Sequence, residues 1–545
     1  MPGAGRGLSR PHDRSKLRLA DRQTWILDDL RLRLHFEAMN AEHPRRRWLR
    51  RILRGSAVAL ILLLALLLAR CLYAFRDRDP AAAFAIELTD EAWHRDPRPL
   101  RVGFGRVNIT PEVSDPARPV YVAGFGQNRV ATGVHDDLWA LACVIDDGHH
   151  RVGIAALDAI GLFHEAVTEI RRRLRTEDGI DYAIVCTTHN HNTPDLMGLW
   201  GPHPLKSGVD AQYIERVIAA AAQALSDAAA SLETAQVAFH KIPTSPDGLV
   251  TDTRQPIVHD PDIRVMHFTR PADGGTLGTI VNWANHPETP WSRNTEITSD
   301  FCGFLREALE HGIQLEGQPV LTGFGGTHLF ITGAIGGLIT TSPGVTVTNP
   351  FTGEAQAPPS HDKSRALGWQ LAARIAPVLA DAASVSTTQA ALGIRARTLE
   401  IPLDNWAFLI APVLGLLDRG HSSWMKLRTE VALLTFGEAS IACVPGEIYP
   451  ELVNGGIERA PGADFDCDPV EVPPLRELMP GQVKFVFGLA NDEIGYIIPK
   501  SQWDRKPPYL YGSEKRVYGE INSIGPECGP TLHAAFQALA AEFER

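Results

Sequence analysis

Three apolar runs of this chain each stop at a metal-ligating residue, and few folds can bring three such stops together. Residues 182–186 (Tyr-Ala-Ile-Val-Cys) lead into Thr187, Thr188, His189, Asn190, His191 and Asn192. Residues 278–284 run into Asn285, His286 and Pro287, and residues 439–444 end at Pro445, Gly446 and Glu447. Apolar runs of this length, bounded by polar or turn residues, read as buried strands. Alternate strand residues face the same way, so His189 and His191 are expected to leave one face at the strand end. Open α/β sheets collect ligands outside the carboxyl ends of their strands. A catalytic zinc asks for about three protein ligands and one open position. A His-x-His pair alone is more often a hydrogen-bonded loop feature; the His and Glu at the other two strand ends make it a candidate zinc site.

These segments lie in a longer series that resembles one family. Gly103, Phe104, Gly105, Arg106, Val107, Asn108, Ile109, Thr110 and Pro111 are followed by Ala123-Gly124-Phe125, Gly133-Val134-His135 and Ala156-Leu157-Asp158. Then come Thr188-His189-Asn190-His191, Asn282-Trp283-Ala284-Asn285-His286-Pro287, Pro445-Gly446-Glu447, Ala490-Asn491-Asp492-Glu493-Ile494-Gly495-Tyr496 and Gly525-Pro526-Glu527. In this order, over residues 100 to 530, the chain resembles the neutral/alkaline non-lysosomal ceramidases and their bacterial relatives. The resemblance implies a zinc amidohydrolase whose Zn²⁺ is held by His189, His286, Glu447 and Tyr496. It places His191 beside the metal and its water. Arg254 is the match to an active-site arginine that steadies a developing oxyanion.

The chain departs from that family at one position. Ceramidases take their nucleophilic serine from a segment of the type Gly-Asp-Val-Ser-Pro, and the corresponding run here is Gly336-Gly337-Leu338-Ile339-Thr340. Isoleucine cannot act as a nucleophile, and Thr340, Thr341 and Ser342 follow it. With the sequence ending near Arg545, the extra C-terminal β-sandwich of ceramidases is not expected, and neither is ceramide itself as the substrate. Zinc chemistry does not need the serine: the ion brings the pKa of water from about 15.7 to about 7 and polarises a carbonyl. His191 would then move protons, as an imidazole titrating near neutrality can; the competing reading has it only orienting His189.

Apolar β-rich runs at 120–123, 138–145, 152–156, 183–186, 279–283 and 433–443 alternate with helical patterns at 164–175, 211–232, 300–311, 362–383 and 532–543. This alternation predicts an α/β fold of mixed sheets flanked by helices. Residues 99–545 are expected to form one elaborated catalytic domain, because ligands spread from residue 189 to residue 496 must converge. Cys143, Cys186 and Cys443 sit in apolar runs as small hydrophobes, and a Cys467–Cys528 disulfide is one open pairing. Residues 405–417 are strongly apolar and too broken by Pro412 and Gly415 to cross a bilayer. They read as core, or else as an apolar wall receiving an acyl chain.

The N-terminus predicts location. Residues 1–54 hold 14 Lys or Arg against 6 Asp or Glu, so a chain of net charge −11 carries −19 from residue 55 onward. Residues 56–69 are unbroken Ser, Ala, Val, Leu and Ile, and the apolar character continues to Phe75 past Arg70, which can snorkel. About 20 such residues span a bilayer core. The expected order is a basic cytoplasmic tail (1–54), a transmembrane signal anchor (55–75), a linker (76–98) and the catalytic domain (99–545). Basic flanks stay in the cytoplasm, which puts the catalytic portion in the periplasm or outside the cell. Cleavage as a secretory signal fits poorly with so long a basic extension. The expected partners are the membrane, through the N-terminal helix, and a lipid or other acylated small-molecule substrate. The acidic outer portion offers no case for nucleic acid. Two functions remain: a zinc-dependent hydrolase of an amide or ester bond in a lipid, or a catalytically inactive relative that binds lipid or envelope components.

Overall fold

The fold is that of a computed structural model, which describes residues 17–516 and 518–543; for residues 17–24, 39–45 and 338 it describes the backbone alone. The chain parts after Tyr73 into two compact units. Among the described residues the first holds one helix, Leu17–Ala74. Its stretch Arg46–Ala74 is long and apolar enough to cross a membrane. Residues 56–69 contain neither Gly nor Pro, and their Leu and Ala are among the best helix formers. Residues 1–16 of the expected basic tail lie outside the described residues.

The second unit, from Ala74 onward, is mixed α/β and holds three principal sheets. The first orders Tyr182–Thr187, Arg151–Leu157, Trp139–Asp146, Arg101–Asn108 and the short Glu233–Thr234. The second orders Thr327–Thr332, Thr276–Trp283, Ile263–Thr269 and Gln236–Ile242, and the third Ala85–Leu88, Leu392–Pro402, Lys426–Phe436, Ala439–Cys443 and Val483–Phe487. Each sheet contains one parallel pair among antiparallel neighbours. The parallel pairs join 151–157 to 182–187, 276–283 to 327–332, and 439–443 to 483–487. The three strands that run into His189, His286 and Glu447 are all members of these pairs. Their unbroken burial is why they read as continuous apolar runs rather than alternating ones.

One face of each sheet feeds a shared core that includes Ile154, Ile184, Phe268, Ile280, Leu434 and Phe485. The other faces are covered by helices. Ala211–Ala230 and His164–Arg172 pack on the first sheet, Asp300–His311 and His361–Ala380 on the second, and Cys528–Phe543 on the third. Two buried asparagines fasten the strand ends across sheets. Asn282 donates from Nδ2 to the Val486 carbonyl (2.9 Å) and accepts from the Val486 amide (3.2 Å), joining the second sheet to the third. Asn491 accepts the Val185 amide (2.8 Å) and donates to the Tyr182 hydroxyl (3.0 Å), fixing the 490s segment to the first sheet.

Several sequence expectations change. Residues 120–123 form no strand and make only isolated bridges, Tyr121 to Val130 and Val122 to Pro194. Pro119 and the left-handed Gly124 (φ 99°) bound too short a stretch to join a ladder. The run 433–443 is two antiparallel strands turning at Gly437 (φ 56°). Residues 406–414 form a helix of which only Pro412 is buried, with Phe408 and Leu409 half-buried against the core of the third sheet and Leu417 buried beyond it, so the segment lies at the margin of the core. All seven cysteines are free, including Cys467 and Cys528.

Candidate metal centre

His189 sits just beyond its strand, which ends at Thr187. Its φ of 61° takes it out of β geometry, so strand alternation does not aim the two imidazoles. Loop hydrogen bonds do: the Thr188 amide donates to the Leu157 carbonyl (2.9 Å), Asn190 to Ala159 (3.1 Å) and His191 to Pro287 (2.9 Å). A non-glycine residue held left-handed is the kind of local strain that functional sites retain. His286 comes three residues after its strand, which ends at Trp283, and its amide donates to the Ile339 carbonyl at 3.2 Å. Glu447 and Tyr496 lie opposite each other in a short parallel pairing, which puts their side chains on one side.

These side chains converge in the buried interior. His189 Nε2 lies 3.4 Å and His286 Nε2 2.9 Å from the same Glu447 oxygen, Oε2. The opposite ring nitrogens face backbone carbonyls, His189 Nδ1 that of Ile160 (2.7 Å) and His286 Nδ1 that of Ile339 (2.6 Å). A carbonyl only accepts, so each Nδ1 carries the proton, and the Nε2 lone pairs turn toward a carboxylate that also only accepts. Two such contacts are tenable if both rings are cationic or if one cation sits among the three groups. Burial would raise Glu447, but His189 and His286 outweigh it and hold the carboxyl well below the usual range. Burial lowers His189, and Glu447 overcomes this to raise it. Burial and the Glu447 charge push the Tyr496 phenol well above its ordinary value.

The donor set fits a small cation. Ligand nitrogens of His189, His191 and His286 all lie within 4.8 Å of one another. Around a tetrahedral zinc with bonds near 2 Å, ligand atoms are roughly 3.3 Å apart, and the two Nε2 to Glu447 separations bracket that figure. The Nδ1 contacts to carbonyls are the outer-sphere hydrogen bonds that set tautomer and ring orientation in metal-bound histidines.

His191 is built differently. Its Nδ1 is 3.1 Å from Glu288 Oε2, close but not aligned as a hydrogen bond, and neither ring nitrogen has a hydrogen-bond partner. Burial pulls its pKa down to about 4 against the opposing pull of Glu288, leaving a neutral imidazole. Burial raises Glu288, yet His191, His286 and the Thr340 hydroxyl bring it down to about 2. Buried Arg129 holds the loop by donating to the carbonyls of His191 and Ala123. Gly124 is required here, since a Cβ would stand 2.4 Å from His191 Cγ. Glu288 and Arg129 were not found by sequence reasoning. The position of Glu288, two residues past His286, was the one available signal.

Ile339 lies in the core behind the second sheet, only 1% exposed, and what it presents to the site is its carbonyl. Thr340 donates its hydroxyl to Glu288, and Thr341 donates to the Leu249 carbonyl (2.6 Å). Arg254 is not among the residues lining the cavity at the histidines. Its Nη2 donates to the Gln502 carbonyl (2.7 Å) and Glu520 (3.1 Å), and its guanidinium lies over the Tyr449 ring. The Tyr449 ring is in turn 6.1 Å from that of Tyr496. The cavity measures about 90 Å³. His189, His191, Glu447 and Tyr496 form one wall, and Phe163, Met197, Trp200, Phe408, Pro412 and Ile524 much of the apolar remainder.

No family model matches the chain. Solved structures that share its fold include two ceramidases. One is the neutral ceramidase from Pseudomonas aeruginosa, at 17% identity and a TM-score of 0.61, with 82% of this chain and 75% of that one covered. The other is a ceramidase complexed with C2, at 15% identity and a TM-score of 0.60, with the same coverage of each chain. Strands that carry His189, His286 and Glu447 to one point are thus part of a ceramidase-like fold.

Proposed function

We propose that this protein is a membrane-anchored, zinc-dependent hydrolase of an amide or ester bond in an amphiphilic lipid, such as an N-acylated sphingoid-like substrate. The observation that carries the reading is the convergence of His189 Nε2 and His286 Nε2 on one Glu447 oxygen at the wall of an apolar cavity. His189, His286, Glu447 and Tyr496 would hold the ion. When bound there, it would supply Lewis acidity, polarising the scissile carbonyl and acidifying water. Neutral His191 takes a proton from water and returns it to the departing amine or alkoxide, and Glu288 beside Nδ1 steadies the imidazolium in between. The cavity's apolar walls receive the acyl chain and exclude bulk water. Arg254 acts one layer back, holding Tyr449 behind Tyr496. The basic tail keeps the N-terminus cytoplasmic and the reaction on the far side.

Metal analysis of the purified full chain, with hydrolysis assays on N-acyl and ester lipids, tests the proposal. Zinc should co-purify, a chelator should abolish hydrolysis and added zinc should restore it. A zinc-loaded protein that cleaves no acyl substrate would favour the second reading, a lipid-binding relative without catalysis. The specific observation on that side is that Ile339 replaces the serine while Thr340 and Thr341 have their hydroxyls committed elsewhere.

A further inference from the structure

The helix Trp406–Leu414 has no charged residue and is apolar on both faces. Phe408 and Pro412, four apart, line the cavity. Trp406, Ile410 and Leu414, also at four-residue spacing, lie on the opposite side and are 63%, 45% and 57% exposed. A helix at a water-exposed surface normally turns a polar stripe outward, and an all-apolar one is otherwise buried in protein or lipid. This helix is nevertheless built to stay at the surface. Its N-cap Asn405 accepts the Ala407 amide and donates to the carbonyls of Ile521 and Ser523. Its far end turns through the left-handed Gly415.

The apolar surface continues past the helix. Ile521 is 40% and Trp424 64% exposed, and the Met425 carbonyl accepts the amide of Leu403, which precedes the helix. Phe75 packs on Trp424 and His421, with ring centroids 4.7 and 4.6 Å apart. Phe75 directly follows Ala74, where the apolar helical stretch ends. The apolar stretch thus ends one residue before a ring that packs on this face.

We propose that Trp406, Ile410, Leu414 and Trp424 form a bilayer-docking face that inserts into the membrane interface, so that an acyl chain passes from lipid past Phe408 and Pro412 into the cavity. Tryptophan and aliphatic side chains on a short surface helix are the composition that settles at headgroup depth. The inference rests on the membrane-anchor reading and deepens the proposed function by naming the route of the substrate.

The test uses the full chain in phosphatidylcholine vesicles. Cys71 and Cys467, the two partly exposed cysteines, are replaced by Ser, and a fluorophore is placed at Ile410→Cys or, as control, at Val385→Cys on a loop residue 88% exposed. Phosphatidylcholine carrying a nitroxide high on its acyl chain is then added. The label at 410 should be quenched at least about threefold more than the label at 385, as interfacial insertion requires. Equal quenching in chains that float with the vesicles overturns the inference and leaves the anchor standing. Chains that do not float overturn both. A label at 410 shielded from water without nitroxide quenching, increasingly so at higher protein concentration, would assign the face to a second copy of this chain and also overturn it. Loss of hydrolysis with quenching intact would fault the hydrolase reading alone.

Discussion

At the scale of residues, His286 and His189 are each held between a carbonyl on one nitrogen and Glu447 on the other. His286→Ala or Glu447→Ala should empty the proposed zinc site in a protein whose circular dichroism stays native. His191→Ala should retain metal, because its contact is Glu288 rather than Glu447; metal loss in that variant as well would point to a three-histidine ligand set. Catalysis separates the same groups. Thr340→Ala, Thr341→Ala and Ser342→Ala should each lower kcat/KM less than about tenfold, near 1.4 kcal/mol of barrier. His191→Ala should cost about 10²–10⁴-fold, and a collapse confined to one hydroxyl variant would reveal a nucleophile. Asp252 gives a pH test. Burial raises it to about 7 against the Arg254 and Val258 amides it accepts, so its folded value lies above an unfolded value near 4. Its stability contribution is complete below about pH 4 and is lost as pH rises through 7. Asp252→Asn should therefore gain on the wild type between pH 5 and 7, by up to about 1 kcal/mol per pH unit, in urea melts; a constant difference would contradict the raised value.

At the scale of elements, the apolar runs announced the strands that lead to His189, His286 and Glu447, because burial on both faces leaves a continuous hydrophobic signature. The helices Ala211–Ala230 and Asp300–His311 were legible from a different signal, an apolar stripe at helical spacing. The end of Tyr182–Thr187 was not. His189 turns left-handed under loop contacts 30 and 100 residues away in sequence, such as those to Leu157, Ala159 and Pro287, and no local pattern encodes them. For the helix Trp406–Leu414 the sequence left core and cavity wall both open, because apolar composition alone does not distinguish them; Phe408 and Pro412 line the cavity. What holds the strand ends in register is also non-local. Asn282→Ala would strip four buried hydrogen-bond contacts, to Ile331, Thr332 and both backbone groups of Val486. The Thr332 carbonyl keeps the Gly488 amide, but stranding the Val486 amide and carbonyl should lower unfolding stability by about 2 to 6 kcal/mol, at roughly 1 to 3 kcal/mol for each of the two groups. Chemical denaturation measures this, and a loss below about 0.5 kcal/mol would show that the cross-sheet tie is dispensable.

At the scale of the whole molecule, charge and hydropathy divide the chain before any fold is considered: a basic leader, an apolar stretch ending at Ala74, and an acidic remainder. Reporter fusions after residue 40 and after residue 545 should accordingly respond in opposite senses to cytoplasmic and external location, and an active cytoplasmic reporter at the C-terminus would refute the topology. By itself the sequence determined that a membrane-length helix precedes a mixed α/β unit, and that His189, His286 and Glu447 stand at strand ends, because periodicity and burial are written into neighbouring residues. Only the tertiary structure decided that those three ends meet at one carboxylate oxygen, that His191 faces Glu288, that Arg254 stands a layer behind Tyr496, and that Ile339 contributes a carbonyl to His286. Each depends on contacts between segments distant in the chain, packed around a core shared by three sheets, where the choice of partner is made by the sum of all the packing rather than by any stretch of sequence.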